Sequence, residues 1–244
     1  MSDELPVDAT SFITTLLQER QQKTKGGLYH LNQILMAYNT NRIEGSQLTE
    51  DQTRYIYETR TVEGAVRIDD VVETSDHFRM LDLMLENVGR PLTCELIKGY
   101  HRLLKAGTSD AALDWFAVGD WKRTSNTVGG IDTAEPEQVD GAIRTLLADY
   151  PAERAMAFDD VCDFHFRFET IHPFQDGNGR VGRLIMFGQC LANGIMPFIV
   201  LDSERFYYYR GLSEYAVAPG YLRDTFRHFQ DVYHDMFKKY VAVR

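Results

Sequence analysis

Disulfide and zinc chemistry have little to work with here. The 244 residues hold three cysteines, Cys94, Cys162 and Cys190, widely spaced in apolar helical surroundings. An odd count without paired spacing argues against a disulfide frame or a zinc site and fits reduced, buried thiols in a cytoplasmic protein. Long apolar runs are missing too: none approaches the ~20 residues that cross a bilayer, so no membrane span is expected. Met1 to Ala9 carries Asp3, Glu4 and Asp8, which is not signal-peptide composition. Basic residues are outnumbered, 26 against 36 acidic ones, and the net charge of −10 argues against nucleic acid as a partner. No Gly/Ser linker, low-complexity tract or repeat divides the chain, so residues 1–244 read as one domain.

Hydrophobic residues make up 44%, enough for a sizeable core, and their spacing is helical almost throughout. Leu28, Leu31, Ile34, Leu35 and Tyr38 form one stripe; Ile68, Val71, Val72, Ser75, Phe78, Leu81 and Leu85 form another. Thr93 is placed to cap a helix carrying Leu96, Ile97, Tyr100, Leu103 and Leu104. Glu135-Pro136 opens a helix with Val139, Ile143, Leu146 and Leu147 on one face. A helix from about Phe158 to Glu169 has Val161, Phe164, His165 and Phe168 inside, which makes His165 a core histidine. The last helix, from about Leu222, carries Phe226, Phe229, Val232, Tyr233, Phe237 and Tyr240. The fold class is an all-α bundle. Trp121 to Ile131 breaks the pattern, with β-branched and turn residues that suggest a short hairpin or extended flap.

The most informative stretch is His172-Pro-Phe-Gln-Asp-Gly-Asn-Gly-Arg-Val-Gly-Arg183. Asp176 to Gly179 is turn chemistry, because both glycines accept positive φ. A glycine-rich turn that opens a helix leaves backbone N–H groups pointing outward at the positive end of a dipole, which is an anion site. Arg180 and Arg183, three apart, share a face of that first turn. They run against the dipole, and a bound polyphosphate would supply the missing negative charge. Asp176 offers a hard oxygen suited to a magnesium ion shared with phosphates. His172 is mostly neutral near pH 7 and can accept a proton. Phe174 is expected to point inward and anchor the loop, and Pro173 restricts His172.

His-Pro-Phe-x-Asp-Gly-Asn-Gly-Arg-x-x-Arg resembles the signature of the Fic family, whose best-known members transfer AMP from ATP to a protein hydroxyl. By that resemblance His172 would deprotonate a Ser, Thr or Tyr hydroxyl, and Asp176 would bind magnesium or manganese. Gly177, Asn178 and Gly179 would cradle the phosphates, Arg180 and Arg183 would hold the β and γ groups, and diphosphate would leave. Upstream, Thr40-Asn-Arg-Ile-Glu44-Gly45 resembles the family's inhibitory motif placed N-terminal to the catalytic loop, as in its second class. Gly45 reads as the residue past a helix C-terminus, an end that disfavours an acid such as Glu44 by ~0.3–1 kcal/mol unless a cation faces it. The resemblance makes Arg183 that cation, with the pair standing where the γ-phosphate would. It also sets the hairpin beside the active site, with Thr124, Ser125, Asn126, Thr127 and Val128 pairing with the target's backbone. Tyr208 or Tyr209 would line the adenine pocket.

The resemblance covers about residues 35 to 215, with an inhibitory helix and motif over 28–46, a core over about 90–215 and the catalytic loop over 172–183. It implies ATP and a target protein as partners, and allows self-modification and homodimerisation. Competing readings are the same site used for UMP, phosphocholine or phosphate transfer, or for removing AMP from a modified target. A metal hydrolase built on His172 and Asp176, with His165 and Asp163 as further ligands, and a non-catalytic binding module also remain.

Overall fold

The computed structural model describes residues 8–128 and 131–241. Its centre is a helix that water barely reaches, α8 (Asn178–Ala192), with Val181, Leu184, Ile185, Met186, Phe187, Cys190 and Leu191 buried. A helix apolar on all sides needs neighbours on all sides. They are α2 (Leu28–Ile43), α4 (Ile68–Glu86), α5 (Cys94–Lys105) and α7 (Phe158–Ile171), each packed on α8. Outside them lie α1 (Ala9–Gln22), α3 (Glu50–Thr59), α6 (Pro136–Asp149), α9 (Arg205–Glu214) and α10 (Gly220–Phe237). The architecture is all-α, as the helical spacing predicts.

Punctuation in the sequence marks several boundaries correctly. Thr93 accepts from the Leu96 N–H at 3.1 Å and starts α5. Pro136 occupies the first turn of α6, where its missing N–H costs nothing. α2 ends in a Schellman-type closure: Gly45 takes φ +94°, and the Ser46 N–H reaches back to the Asn41 carbonyl at 2.9 Å. α7 buries the expected residues, His165 among them, and α10 buries Phe226, Phe229, Tyr233 and Phe237, whereas Val232 is half-buried and Tyr240 lies past its end.

Two readings need correction. Ile68, expected in the α4 stripe, is 78% exposed, whereas Asp70, Thr74, His77, Met80 and Met84 face inward. Phe78, Leu81 and Leu85 of that stripe are buried as expected, but the first half of the inner face is polar, where a count of apolar residues gives no guide. Among the thiols, Cys162 and Cys190 are buried and Cys94 is only half-buried, all three free. The hairpin is present: β1 (Thr127–Val128) pairs antiparallel with β2 (Ile131–Asp132), Thr127 opposite Asp132. Gly129 and Gly130, within the expected flap, lie outside the described residues, as does the acidic stretch before residue 8. Among the described residues no helix is long and apolar enough to cross a membrane.

Candidate active site

The loop between α7 and α8 is built around Phe174 and Asn178. Phe174 is fully buried, its ring stacked on His101 of α5 at 4.0 Å and 4°. The Asn178 side chain accepts from the Phe174 N–H at 2.7 Å and donates to the Phe174 carbonyl at 2.8 Å. That closed pair takes the Asn178 amide away from any phosphate, so its part in an anion cradle is limited to its backbone. Gly177 takes φ +81°, and a Cβ there would meet Leu104 and His101 at 3.0 and 3.5 Å. Glycine is required both for the turn and for the close approach. Gly179, expected in the turn at positive φ, instead lies in the first turn of α8. That helix start has no side-chain cap and no acidic residue in its first turn, so its outward N–H groups and dipole are available to an anion.

His172 ends α7 in the left-handed region, φ 52° and ψ 62°, uncommon for a residue with a side chain and further restricted by Pro173. Local strain of this kind gathers at functional sites. Its Nδ1 lies 3.3 Å from the Glu169 carbonyl. A carbonyl only accepts, so Nδ1 carries the proton and Nε2 keeps the lone pair. Burial pushes the His172 pKa down to about 4, opposed by the Glu169 carbonyl and helped by the Lys122 cation. The imidazole is therefore an unprotonated base at neutral pH.

Opposite the α8 N-terminus stands Glu44. Arg183 Nη2 donates to Glu44 Oε1 at 2.5 Å, Arg183 Nε to Thr40 Oγ1 at 2.8 Å and Nη2 to the Thr40 carbonyl at 3.2 Å. Glu44 Oε1 lies directly against Gly179, in the space a Cβ there would need. A carboxylate from α2 thus occupies the anion site at the head of α8. Burial would lower the Arg183 pKa, but Glu44 raises it above the usual guanidinium range.

Arg180 is placed differently from expectation. It is 3% exposed and bound to Glu73 of α4 through Nη1 and to Asp176 Oδ2 through Nη2 at 2.9 Å. Lys105, 2% exposed, completes a closed ring: its Nζ reaches Glu73 Oε1 at 2.6 Å and Asp176 Oδ2 at 2.7 Å, and also Asp110 at 2.7 Å. Burial would raise the Asp176 pKa, yet Arg180 and Lys105 hold it well below the ordinary carboxylate range. Both arginines are thus held by protein carboxylates, Arg180 by Glu73 and Asp176 and Arg183 by Glu44. Asp176 keeps a side chain 44% exposed. One such carboxylate suits a magnesium or manganese ion that takes its other oxygens from phosphates and water. Among the described residues no group of three or more His, Cys, Asp or Glu forms a metal cluster. His165 bonds Tyr208 instead, and Asp163 accepts from Tyr150, so neither joins His172 and Asp176 as the further ligand the hydrolase reading needs.

The hairpin hangs beside this loop. The Lys122 N–H donates to the Pro173 carbonyl at 2.9 Å, Asn126 Nδ2 to the Phe174 carbonyl at 3.1 Å, and Thr124 Oγ1 to Gln175 Oε1 at 2.8 Å.

Residues 91–189 match the Fic/DOC family. The chain carries a Fic domain. The protein adenylyltransferase Fic of Aedes aegypti is 27% identical over 178 residues, 70% of this chain and 35% of its own length. The protein adenylyltransferase fic-1 of Caenorhabditis elegans is 27% identical over 186 residues, 73% of this chain and 36% of its own. The chain therefore spans about a third of the length of these curated relatives. A Fic domain containing signaling protein from Bacteroides thetaiotaomicron superposes with a TM-score of 0.75 at 20% identity, covering 94% of this chain and 95% of that one. C. elegans Fic-1 gives 0.71 at 20%, covering 96% and 71%. At such identities the likeness establishes the fold.

The two tyrosines proposed for the adenine pocket differ in burial. Tyr208 is 1% exposed, bonded to His165 at 2.9 Å with the Arg183 guanidinium 5.8 Å over its ring, so it is a wall behind the site. Tyr209 is 46% exposed and donates to the Ile43 carbonyl at 3.2 Å, next to Glu44. In the flap, Thr124, Ser125 and Thr127 are exposed, whereas Asn126 turns inward to the loop. Sequence reasoning missed Glu73, His101, Lys105 and Lys122. For Lys105 a signal existed: it follows Ile97 and His101 at helical spacing, so a charge was placed in a core phase of α5. Glu73 sits one turn before His77 on the partly polar face of α4, where apolar periodicity gives no cue.

Proposed function

We propose that the chain is a protein adenylyltransferase of Fic type, transferring AMP from ATP to a Ser, Thr or Tyr hydroxyl of a target protein and restrained by Glu44. The carrying observation is the Glu44 carboxylate at the head of α8, paired with Arg183 in a site shaped for an anion. A triphosphate placed there would set its terminal group on Arg183 in place of Glu44, with the N–H groups of the α8 first turn along the chain of phosphates. His172 Nε2 takes the proton from the incoming hydroxyl. That oxygen then bonds to the α-phosphorus, and the bond from the α-phosphorus to its bridging oxygen breaks, so diphosphate leaves with the electron pair. A divalent ion bound through Asp176 neutralises phosphate charge when present. Positioning, charge and one base suffice for such chemistry.

Inhibition follows from mutual exclusion, since two anions cannot share Arg183 and the α8 N-terminus. Within this reading, residues 28–46 form an inhibitory helix and the core runs over about 90–215. Tyr209 borders the nucleotide base, and the exposed flap residues receive the target. ATP labelled at the α-phosphate tests the reading. Glu44→Gly should label protein strongly where the native chain labels weakly, and equal rates would remove the switch. Label that arrives from the γ-phosphate alone would assign the site to phosphate transfer instead.

A further inference from the structure

One buried lysine ties the Fic hairpin together at its base. Lys122 is 3% exposed, and its Nζ donates to Asn126 Oδ1 at 2.7 Å and Thr133 Oγ1 at 2.6 Å, one acceptor before β1 and one after β2. Both acceptors are neutral. Burial lowers the Lys122 pKa, with Glu135 the nearest opposing charge. A buried ammonium held only by neutral groups is costly, and an apolar side chain of similar length would fill the slot without that penalty. Thr133 Oγ1 also donates to the Asn126 carbonyl at 2.9 Å, so the two legs are already joined without the lysine. What the lysine adds is a fixed angle between those legs and the catalytic loop. The Lys122 N–H holds the Pro173 carbonyl, and its partner Asn126 holds the Phe174 carbonyl, one and two residues past His172.

We propose that Lys122 is a positioning residue for the acceptor: it sets the height and register at which an extended, hydroxyl-bearing peptide added to the hairpin edge meets His172. The inference rests on the adenylyl-transfer reading. Strand addition has a period of two, so a one-residue slip turns every hydroxyl to the wrong face. Even a displacement near 1 Å costs about 100-fold in a step that depends on alignment.

The test uses the full chain carrying Glu44→Gly, ATP labelled at the α-phosphate, magnesium, and a set of synthetic extended peptides each bearing one Ser, Thr or Tyr. Lys122→Met should lower kcat for peptide, and with it kcat/KM, by about tenfold or more. ATP uptake by calorimetry should stay within about twofold of the parent, which also shows that the variant folds. Asn126→Ala should reproduce the defect, and the double variant should be no worse than about twofold beyond the weaker single, because both break one link. A peptide kcat unchanged in Lys122→Met, losses that multiply in the double variant, or ATP uptake that falls in step with peptide turnover would each overturn the role. Absence of any transfer by the Glu44→Gly parent would instead overturn the adenylyl-transfer reading, and the positioning role with it.

Discussion

At His172 the left-handed backbone and the contact from Nδ1 to the Glu169 carbonyl leave Nε2 as the only lone pair able to take a proton. His172→Ala in the Glu44→Gly background should therefore abolish transfer while leaving ATP uptake within about twofold, since no phosphate contact is assigned to the imidazole. Label persisting in that variant would place the base elsewhere. The pH dependence has a definite sign. With the pKa pushed down to about 4 by burial, His172 is deprotonated across the neutral range, so transfer should show no acid limb near 6.5. Half-loss of rate close to that ordinary histidine value would mean the imidazole is solvated during catalysis. At this scale residue type and spacing single out His172, Asp176, Arg183 and Glu44, of which Arg183 and Glu44 pair at the head of α8. The sequence is silent on Glu73 and Lys122, because their partners lie 107 residues away on Arg180 for the one and on hairpin legs for the other.

Between elements, the decisive contact joins the C-terminus of α2 to the N-terminus of α8. α2 is held rigidly: Asp202 N–H donates to Asn39 Oδ1 at 2.9 Å, and Tyr233 OH lies 3.1 Å from Asn32 Oδ1. Glu44, the residue that caps α2, is thus presented from the end of a helix packed into the bundle. Thr40→Val removes one bond to Arg183 and keeps Glu44, so it should release transfer only in part, to a rate between the native chain and Glu44→Gly. Release equal to Glu44→Gly would shift the lock from the carboxylate to the threonine. A second junction, where α5 meets α4 and the catalytic loop through Lys105, is structural in weight. Lys105→Met leaves Glu73, Asp110 and Asp176 without their shared ammonium and should destabilise the fold by about 3–5 kcal/mol in urea unfolding. A change below about 1 kcal/mol would show that the ring is slack. Most helices were legible because caps and apolar stripes agree. In α4 the stripe holds at Phe78, Leu81 and Leu85 and fails earlier, where the inner face carries Asp70, Thr74 and His77.

Across the whole molecule, burial has neutralised several histidines at once. It pushes His77, His101 and His165 down to about 3 and His172 to about 4. Their unfolded values lie near 6.5, so below that pH the unfolded chain binds protons the folded chain refuses, and stability is lost as pH falls. Glu169, raised to about 8 by burial, and Asp76, also raised by burial, act in the opposite direction, two groups against four. The thermal midpoint should be higher at pH 7 than at pH 5 by at least about 3 °C at constant salt. An equal or higher midpoint at pH 5 would mean that the histidines take protons in the folded state. The central claim concerns the anion site at the head of α8, and calorimetric titration of ATP with magnesium into the native chain and Glu44→Gly tests it most directly. The account predicts magnesium-dependent uptake about tenfold or more tighter in Glu44→Gly, as removing a charged competitor from a buried arginine requires. Identical affinities, or no uptake of ATP by either protein, would contradict it.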